Sequence, residues 1–290
     1  MQRKKFMNKS RMSSYALSLI LAVAAMVWIL PVAAGALTSF KSNLEVKMFA
    51  RDLNLIPHNW TLENYTYVLN YPAVPIFKAM GNTAVVCAAS ILLTLTLCTM
   101  SAYGFERFEF KGKETLFWFL FTLSTIPNVV ALVPQYTFYT WLGWIDRLPS
   151  IIAPTVADVF YIFLIRNFMK TIPKDLEEAA RIDGAGEVKI FTRVDLPLLT
   201  PVLTIVGIFK FSSAWNDFLW PSIAITTPSH STITPALRLL NDSSSNASFS
   251  TRPERLLAGC VLAMIPTLVV YLVFRKQFLK GIDVGAGVKG

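Results

Sequence analysis

The 290-residue chain has few charged residues, few cysteines and few histidines. Charged residues make up 16 % of it, against about 25 % in a typical soluble domain, while hydrophobic residues reach 54 %. Cys87, Cys98 and Cys260 lie in apolar stretches without CxxC spacing, so neither a disulfide framework nor a metal site is expected. The two histidines are isolated in polar segments. This composition indicates a membrane protein.

Enzyme signatures are also missing. The sequence contains no GxxxxGK[ST] phosphate loop, no GxSxG elbow and no HExxH helix. We therefore predict no catalytic, cofactor-binding or metal-binding residues in this chain. The net charge of +9 could suggest nucleic acid, but the basic residues fall between apolar runs and are not clustered with aromatic ones. No nucleic-acid partner is expected.

The apolar residues form about six runs, each long enough to cross a bilayer. A spanning helix needs about 20 mostly apolar residues, and the runs lack the alternation typical of a barrel strand. The predicted spans are Tyr15–Leu37, Ala79–Phe105, Thr115–Tyr136, Pro149–Phe168, Leu198–Ile225 and Arg255–Phe274. The first run resembles a signal peptide but exceeds the usual apolar length of about 7–15 residues, which favours an uncleaved span. The sequence predicts an all-α membrane protein of about six transmembrane helices.

Lysine and arginine are distributed unevenly between the loops. Of the 27 basic residues, 18 fall at the termini or beside the loops after the second and fourth runs, 8 fall in the other loops, and Lys210 lies inside a run. Cytoplasmic loops carry the excess of lysine and arginine in membrane proteins. We therefore predict that both termini are cytoplasmic, and that the loop after the fourth run faces the cytoplasm.

The loop from Lys170 to Pro197 contains the most informative segment. Pro173 suits the first helical position, acidic residues follow it where the helix dipole favours negative charge, and Gly184 suits the left-handed residue that ends a helix. Helices that lie on lipid favour bulky apolar residues opposite a basic face, whereas this segment is acidic and alanine-rich. Small alanines also let a partner approach the helix backbone closely. We therefore predict a short helix that docks on another protein.

This loop resembles the EAA motif of ABC importer permeases. Glu178-Ala179-Ala180 is followed after three residues by Gly184 and after nine more by Val194-Asp195-Leu196-Pro197, with Val194 in place of the usual isoleucine. Further segments resemble the smaller, maltose-type subunit of carbohydrate importers, namely Ser39–Lys41, Trp60–Tyr65, Ala102–Phe108, Trp215–Pro221 and Gly281–Gly290. Asp283 and Gly287 depart from the usual tail, and the serine-rich segment Asn241–Ser250 does not match the family pattern.

The resemblance implies a type I ABC importer permease fold with a cytoplasmic coupling helix. Residues 1–14 would be a cytoplasmic segment, residues 15–274 the transmembrane permease domain with its coupling loop at 170–197, and residues 275–290 a cytoplasmic tail. The residues expected to contact the ATPase are Glu177, Glu178, Ala179, Ala180, Arg181, Asp183 and Gly184.

The resemblance also implies a set of partners in the bacterial cytoplasmic membrane. These are a second homologous permease subunit, a dimer of cytoplasmic subunits that hold ATP and Mg, membrane lipid, and an extracytoplasmic solute-binding protein. The expected function is to couple closure of the ATPase to alternating access for a sugar or oligosaccharide.

Polar residues inside the predicted spans are candidates for the translocation path. A charge at mid-membrane costs about 2.5 kcal/mol or more, so it usually faces a cavity or a partner. The candidates are Asn128, Asp158, Lys210, Asn216 and Asp217. In one hypothesis they line the path; in the other they pair across helices or face the second permease.

Two further functions stay open at this point. One is an ion-coupled secondary transporter that uses Lys210 and Asp217 as a relay, although no inverted repeat is evident. The other is an ABC importer permease for a solute other than sugar, against which only the carbohydrate-like segments argue. A membrane-embedded enzyme is disfavoured because paired catalytic groups are not visible.

Overall fold

In the computed structural model the chain is helical, as the sequence predicts. The structure describes residues 2–49, 54–244 and 252–286, with side chains described for 17–48, 54–240 and 252–277, and these ranges contain no strand. In chain order the helices are α1 (Gln2–Thr38), α2 (Asn43–Phe49), α3 (Glu63–Asn70), α4 (Ile76–Arg107), α5 (Lys113–Ser124), α6 (Leu132–Trp141), α7 (Leu148–Ile152), α8 (Val159–Met169), α9 (Asp175–Ile182), α10 (Glu187–Ile190), α11 (Leu196–Leu198), α12 (Thr200–Asn216), α13 (Leu219–Ala224), α14 (Ile233–Ser244) and α15 (Pro253–Ala286).

Some predictions concern residues outside these ranges. The side chain of Asp283 and all of Gly287, where the tail departs from the family pattern, lie outside the described part. Most of the serine-rich segment Asn241–Ser250 also lies outside it, within residues 245–251. The side chains of the predicted N-terminal segment, residues 1–14, are likewise outside the described part.

The chain divides into two compact units, of which the first comprises Met1–Tyr71 and Leu240–Leu262. In α1, the apolar side chains from Leu17 to Val32 are exposed, as expected of a helix surrounded by lipid. Beyond α1, the Asn64 amide Nδ2 donates to the carbonyls of Ser39 and Lys41 at 2.9 and 2.8 Å. These bonds connect the start of α3 to the end of α1.

The second unit comprises Pro72–Leu239 and Ala263–Gly290, and α4 is its central helix. Side chains on one face of α4 are buried at intervals of three or four residues, and many of them are small, such as Ala79, Ser90 and Ala102. Small residues let helices approach closely within a membrane. Helices α8 and α12 pack against this face, and Ile165, Met169 and Val206 are among the buried residues of the shared core.

The predicted spans are of two kinds. Leu17–Thr38, Ile76–Arg107 and Pro253–Gln277 are single helices long and apolar enough to cross a membrane. Three others are pairs of helices bent by 86°, 44° and 74° at short breaks, so the described residues hold three spans, or up to six if each bent pair counts as one. The breaks lie within the third and fourth predicted runs and at the start of the fifth, and a hydropathy window does not locate them because it does not sense the backbone.

Prolines lie close to each of the three breaks. Pro127 separates α5 from the 3₁₀ turn before α6, Pro154 lies in the 3₁₀ turn before the α7–α8 break, and Pro201 is in the first turn of α12. Proline removes a backbone donor and resists continuation of a helix. Backbone groups freed at such breaks must find other partners within the membrane.

Candidate functional site

Helix α9 lies in the loop that resembles the EAA motif. It begins at Asp175 rather than at Pro173, and it ends where predicted. Gly184 has a φ of 80°, the left-handed conformation that glycine adopts without strain. The N–H of Ala185 donates to the carbonyl of Ala180 at 2.9 Å and that of Gly184 to Arg181 at 3.1 Å. This bond pair is the Schellman arrangement, which satisfies the last carbonyls of the helix.

Of the predicted ATPase-contacting residues, Glu177 lies apart from the others. It is only 5 % exposed and points towards the core, whereas Glu178, Ala179, Arg181, Asp183 and Gly184 are exposed and Ala180 is half-buried. The structure therefore gives α9 an inner face around Glu177 and an outer face open to a partner.

Glu177 takes part in a buried cluster of charges that joins three elements. Its carboxylate lies 2.5 Å from Nε of Arg107, the last residue of α4. The same guanidinium lies 3.5 Å from Oδ1 of Asp195, which is fully buried in the π-helical turn before α11. Two acids thus share one arginine, and burial together with the nearby Asp195 carboxylate raises the pKa of Glu177 to about 7.

A second, exposed link fixes the other side of α9. Arg181 donates to Oε1 of Glu187 at 2.8 Å, and the hydroxyl of Tyr103 donates to Oε2 of the same carboxylate at 3.1 Å. The hydrogen bond and the charge of Glu187 raise the pKa of Arg181, which stays protonated. Glu187 therefore connects α9, α10 and α4, and Arg107 separately connects α4 to α9.

Two apolar residues stand out on the exposed surface of this loop. Ile182 is 87 % exposed and Val188 is 79 % exposed, and they flank the Asp183–Gly186 turn. Sequence reasoning missed them because it concentrated on the acids and alanines. The available signal was the presence of two β-branched apolar residues in an otherwise polar connection. Together with Ala179 they form what we call the α9 surface.

Three of the five candidate path residues are brought together at helix breaks. Lys210 is buried and its ammonium donates to the carbonyl of Thr155, at the end of the first half of the broken fourth span. Asp158 caps the second half by accepting from the N–H of Phe160 at 2.9 Å. Both Asp158 and Asp217 lie within electrostatic range of Lys210.

These contacts satisfy backbone groups that the breaks leave open. The carboxylate of Asp217 faces the backbone N–H groups at the start of α13. Asn216 is exposed and its amide donates to the carbonyl of Ser212 at 2.8 Å, while Asn128 lies in the 3₁₀ turn between α5 and α6. In this structure Lys210 thus binds a backbone carbonyl of another helix, and Asp158 accepts from the N–H of Phe160 in α8.

Comparisons with known proteins agree with this architecture. The family model described as "Binding-protein-dependent transport system inner membrane component" matches residues 96–283. The arabinooligosaccharides transport system permease protein AraQ of Bacillus subtilis (strain 168) is 29 % identical over 275 residues, covering 95 % of each chain.

Two solved structures have the same fold. A chain from a bacterial ABC transporter that imports the acidic polysaccharide alginate aligns with a TM-score of 0.79 and 21 % identity, covering 92 % of this chain and 97 % of that one. A chain from a bacterial alginate ABC transporter, in complex with a periplasmic protein that holds an alginate pentasaccharide, aligns with a TM-score of 0.63 and 16 % identity, covering 89 % and 92 %.

Proposed function

Because the chain belongs to the family of binding-protein-dependent transport system inner membrane components, we propose that it is a permease subunit of an ATP-driven importer of sugars or oligosaccharides. The carbohydrates named for AraQ and for the alginate transporters support this substrate class. The observation that carries the coupling mechanism is α9, which presents an exposed apolar surface while buried charges hold its inner face to α4.

The α9 surface suits docking into a cleft of a cytoplasmic ATPase. Ile182 and Val188 would lose their contact with water on docking, which contributes about 25 cal/mol per Å² of apolar area. Ala179 lets the partner approach closely, and the exposed Glu178 and Asp183 provide a charged rim. ATP and Mg would be held by that partner, since this sequence has no phosphate loop.

The buried cluster would transmit movement from the ATPase to the membrane helices. Arg107 is the last residue of α4, and its contacts with Glu177 and Asp195 make the end of α4 move together with α9. Closure of the ATPase pair on ATP would draw the two coupling helices of the transporter together and turn the path outward. Hydrolysis would return it inward.

The remaining parts of the transporter follow from this proposal. A second homologous permease would complete the path, and an extracytoplasmic binding protein would deliver the sugar from the side opposite α9. Both chain termini would then be cytoplasmic, in agreement with the distribution of lysine and arginine. Asn216 at the end of α12 and Asn128 in the turn before α6 are the path candidates that are exposed.

The test places acids on the α9 surface. Ile182→Asp combined with Val188→Asp removes no buried contact, so the chain should fold and insert normally. We expect ATPase recovered with the purified chain to fall about tenfold or more, because buried apolar anchors dominate interfaces. Sugar uptake in cells should fall in parallel.

Two control variants accompany this test. Ile182→Leu keeps the apolar contact, and Lys111→Asp adds an acid at another exposed position on the predicted cytoplasmic side. Both should retain the ATPase and uptake. Normal uptake in the double variant would contradict the coupling role of this surface. Transport by the chain with no ATPase attached would instead favour an ion-coupled carrier.

A further inference from the structure

Asp146 occupies an unusual position in the turn between α6 and α7. Its φ is 63°, and among the described residues it is the one non-glycine residue in the left-handed region. Only glycine, and to a lesser extent asparagine and aspartate, adopt this conformation routinely. The backbone N–H of Asp146 donates to the carbonyl of Ala224 at 2.8 Å, at the end of α13. The turn is therefore attached to the end of the fifth predicted span.

The Asp146 carboxylate holds the next residues along that chain. Oδ1 accepts from the backbone N–H groups of Thr226 and Thr227 at 2.9 and 2.8 Å, and Oδ2 accepts from the Thr227 hydroxyl at 2.6 Å. Nδ1 of His230 lies 2.8 Å from the Asp146 carbonyl and 3.4 Å from Oδ2. Burial alone would raise the pKa of Asp146, but the bonds from Thr227 and Thr226 outweigh it and lower the pKa to about 2.

The other end of this segment is attached to the start of α4. The Asn82 amide Nδ2 donates to the carbonyls of Ser229 and Ser231 at 3.1 and 3.0 Å. The N–H of Ile233, the first residue of α14, donates to the Thr83 hydroxyl at 2.8 Å. Residues 226–233, called here the 226–233 segment, are thus fixed at both ends, while Thr226, Pro228 and His230 are exposed between them.

The length of α4 places this segment on the opposite side of the membrane from α9. Asn82 and Arg107 are 25 residues apart on one continuous helix, or about 37 Å at about 1.5 Å per residue. The hydrocarbon layer of a bilayer is about 30 Å thick. If α9 faces the ATPase, the 226–233 segment faces the compartment of the binding protein.

We propose that Asp146 is a positioning residue that holds the 226–233 segment as a preformed docking surface for the solute-binding protein. This inference rests on the proposed function. A loop that is already ordered loses less conformational entropy on binding than a mobile one. Releasing it would lower the fraction of transporters competent to dock and weaken the apparent affinity by that fraction.

The variants distinguish the effect of losing the Asp146 carboxylate from the effect of disrupting the turn backbone. Asp146→Gly removes the carboxylate but suits the left-handed backbone, so the turn itself should persist. Thr227→Val removes only the hydroxyl bond. Thr140→Val is the matched control, because the exposed Thr140 lies in α6, outside the 226–233 segment, and its hydroxyl donates to the carbonyl of Tyr136 in its own helix. All are prepared as the assembled transporter in nanodiscs, with the solute-loaded binding protein recovered with it from native membranes.

Two measurements are made on each variant. Hydrogen exchange reports whether the amides of Thr226 and Thr227 are held, and we expect about tenfold faster exchange in Asp146→Gly, because bonds to a charged acceptor are the strong ones. The concentration of binding protein that half-saturates ATP hydrolysis should rise about three- to tenfold. The ATPase rate of Asp146→Gly without binding protein should not change. Thr227→Val should show smaller effects on exchange and half-saturation, and Thr140→Val none.

The outcomes distinguish this inference from the proposed function. Faster exchange together with a higher half-saturating concentration supports the positioning role. Faster exchange with an unchanged half-saturating concentration overturns the docking role, and unchanged exchange overturns the contact itself. If the wild-type transporter does not respond to the binding protein at all, the proposed function fails, and this inference fails with it.

Discussion

The carboxylates of Glu177 and Asp146 hold two loops near opposite ends of α4, and their surroundings shift their pKa values in opposite directions. Glu177 is almost fully buried and shares a single guanidinium with Asp195, and these surroundings raise its pKa to about 7. The Asp146 side chain is 28 % exposed and accepts from three donors, and these bonds lower its pKa to about 2.

The comparison teaches that the number of donors around a carboxylate matters more than its burial alone. We call the contact of Glu177 with Arg107 the first anchor and the contact of Asp146 with Thr226 and Thr227 the second. At the first anchor, two negative charges compete for one positive charge in a site with little water, so this anchor depends on charge balance. At the Asp146 end, backbone N–H groups supply the donors and solvent reaches the carboxylate. The first anchor should be sensitive to charge, and the second to backbone geometry.

The largest effect is expected from Arg107→Leu, which breaks the charge-dependent anchor. Glu177 and Asp195 would remain buried without a partner, and removing one member of a buried ion pair costs about 3–5 kcal/mol. The melting temperature of the purified chain in mild detergent should fall sharply, and α9 amides should exchange faster. Removing the exposed Arg193 by Arg193→Leu is the matched control and should change neither.

The triple variant Arg107→Leu, Glu177→Gln, Asp195→Asn distinguishes charge from packing. If charge imbalance is the cause, neutralising both acids should recover most of the lost stability, because buried ion pairs can often be replaced by neutral groups. A triple variant as unstable as Arg107→Leu would show that the arginine acts through its packing. The contact at the Arg107 end of α4 would then not depend on charge balance, contrary to the comparison made above.

Glu177→Gln is expected to have a smaller effect that depends on pH. The pKa of Glu177 is raised to about 7 in the folded chain from an ordinary value of about 4.5, so the folded chain binds more protons than the unfolded chain between these values. Stability therefore falls as the pH rises through this window. The glutamine variant avoids that loss and should melt about 3 °C higher than wild type near neutral pH or above.

The control for this prediction is the exposed neighbour, changed by Glu178→Gln. Its melting temperature relative to wild type should not vary with pH in the same window. The advantage of Glu177→Gln should shrink as the pH falls from about 7 and disappear below about 4.5, where the wild-type carboxyl is protonated in both states. A glutamine variant that melts below wild type near neutral pH, with a deficit that disappears as the pH falls, would instead mean that Arg107 stabilises Glu177 as a carboxylate.

Local features of the fold could be read from the sequence, because they depend on neighbouring residues. Gly184 ends α9 in the left-handed conformation as predicted, since only the local backbone decides this. The apolar runs likewise indicated the helical membrane class. Hydropathy did not locate the breaks, because length and hydropathy are the same for a straight and a bent span, whereas the prolines near the breaks are visible in the sequence.

The two anchors could not be read from the sequence because their partners are distant in the chain. Arg107 and Glu177 are 70 residues apart, and Asp146 and Thr227 are 81 apart. Each of these residues is ordinary in its own segment, and only tertiary packing brings the partners together, for Asp146 and Thr227 the packing of α13 on α6 and α7. Glu177 was therefore grouped with the ATPase-contacting residues, although its side chain faces the core.

The smallest effect is expected when the Asp146 contact is titrated. A folded-state pKa of about 2 means that the stabilising bonds are fully present above the unfolded value of about 3.8 and are lost only as the pH falls through about 2. The ratio of Thr226 and Thr227 exchange rates between Asp146→Gly and wild type should thus stay constant from about pH 5 to about pH 8, after correction for intrinsic exchange. Glu177→Gln, in contrast, should change its relative stability over the same range. If the Asp146 ratio varies there and His230→Gln abolishes the variation, the histidine beside the carboxylate controls the segment, and the donor-based account of this anchor is wrong.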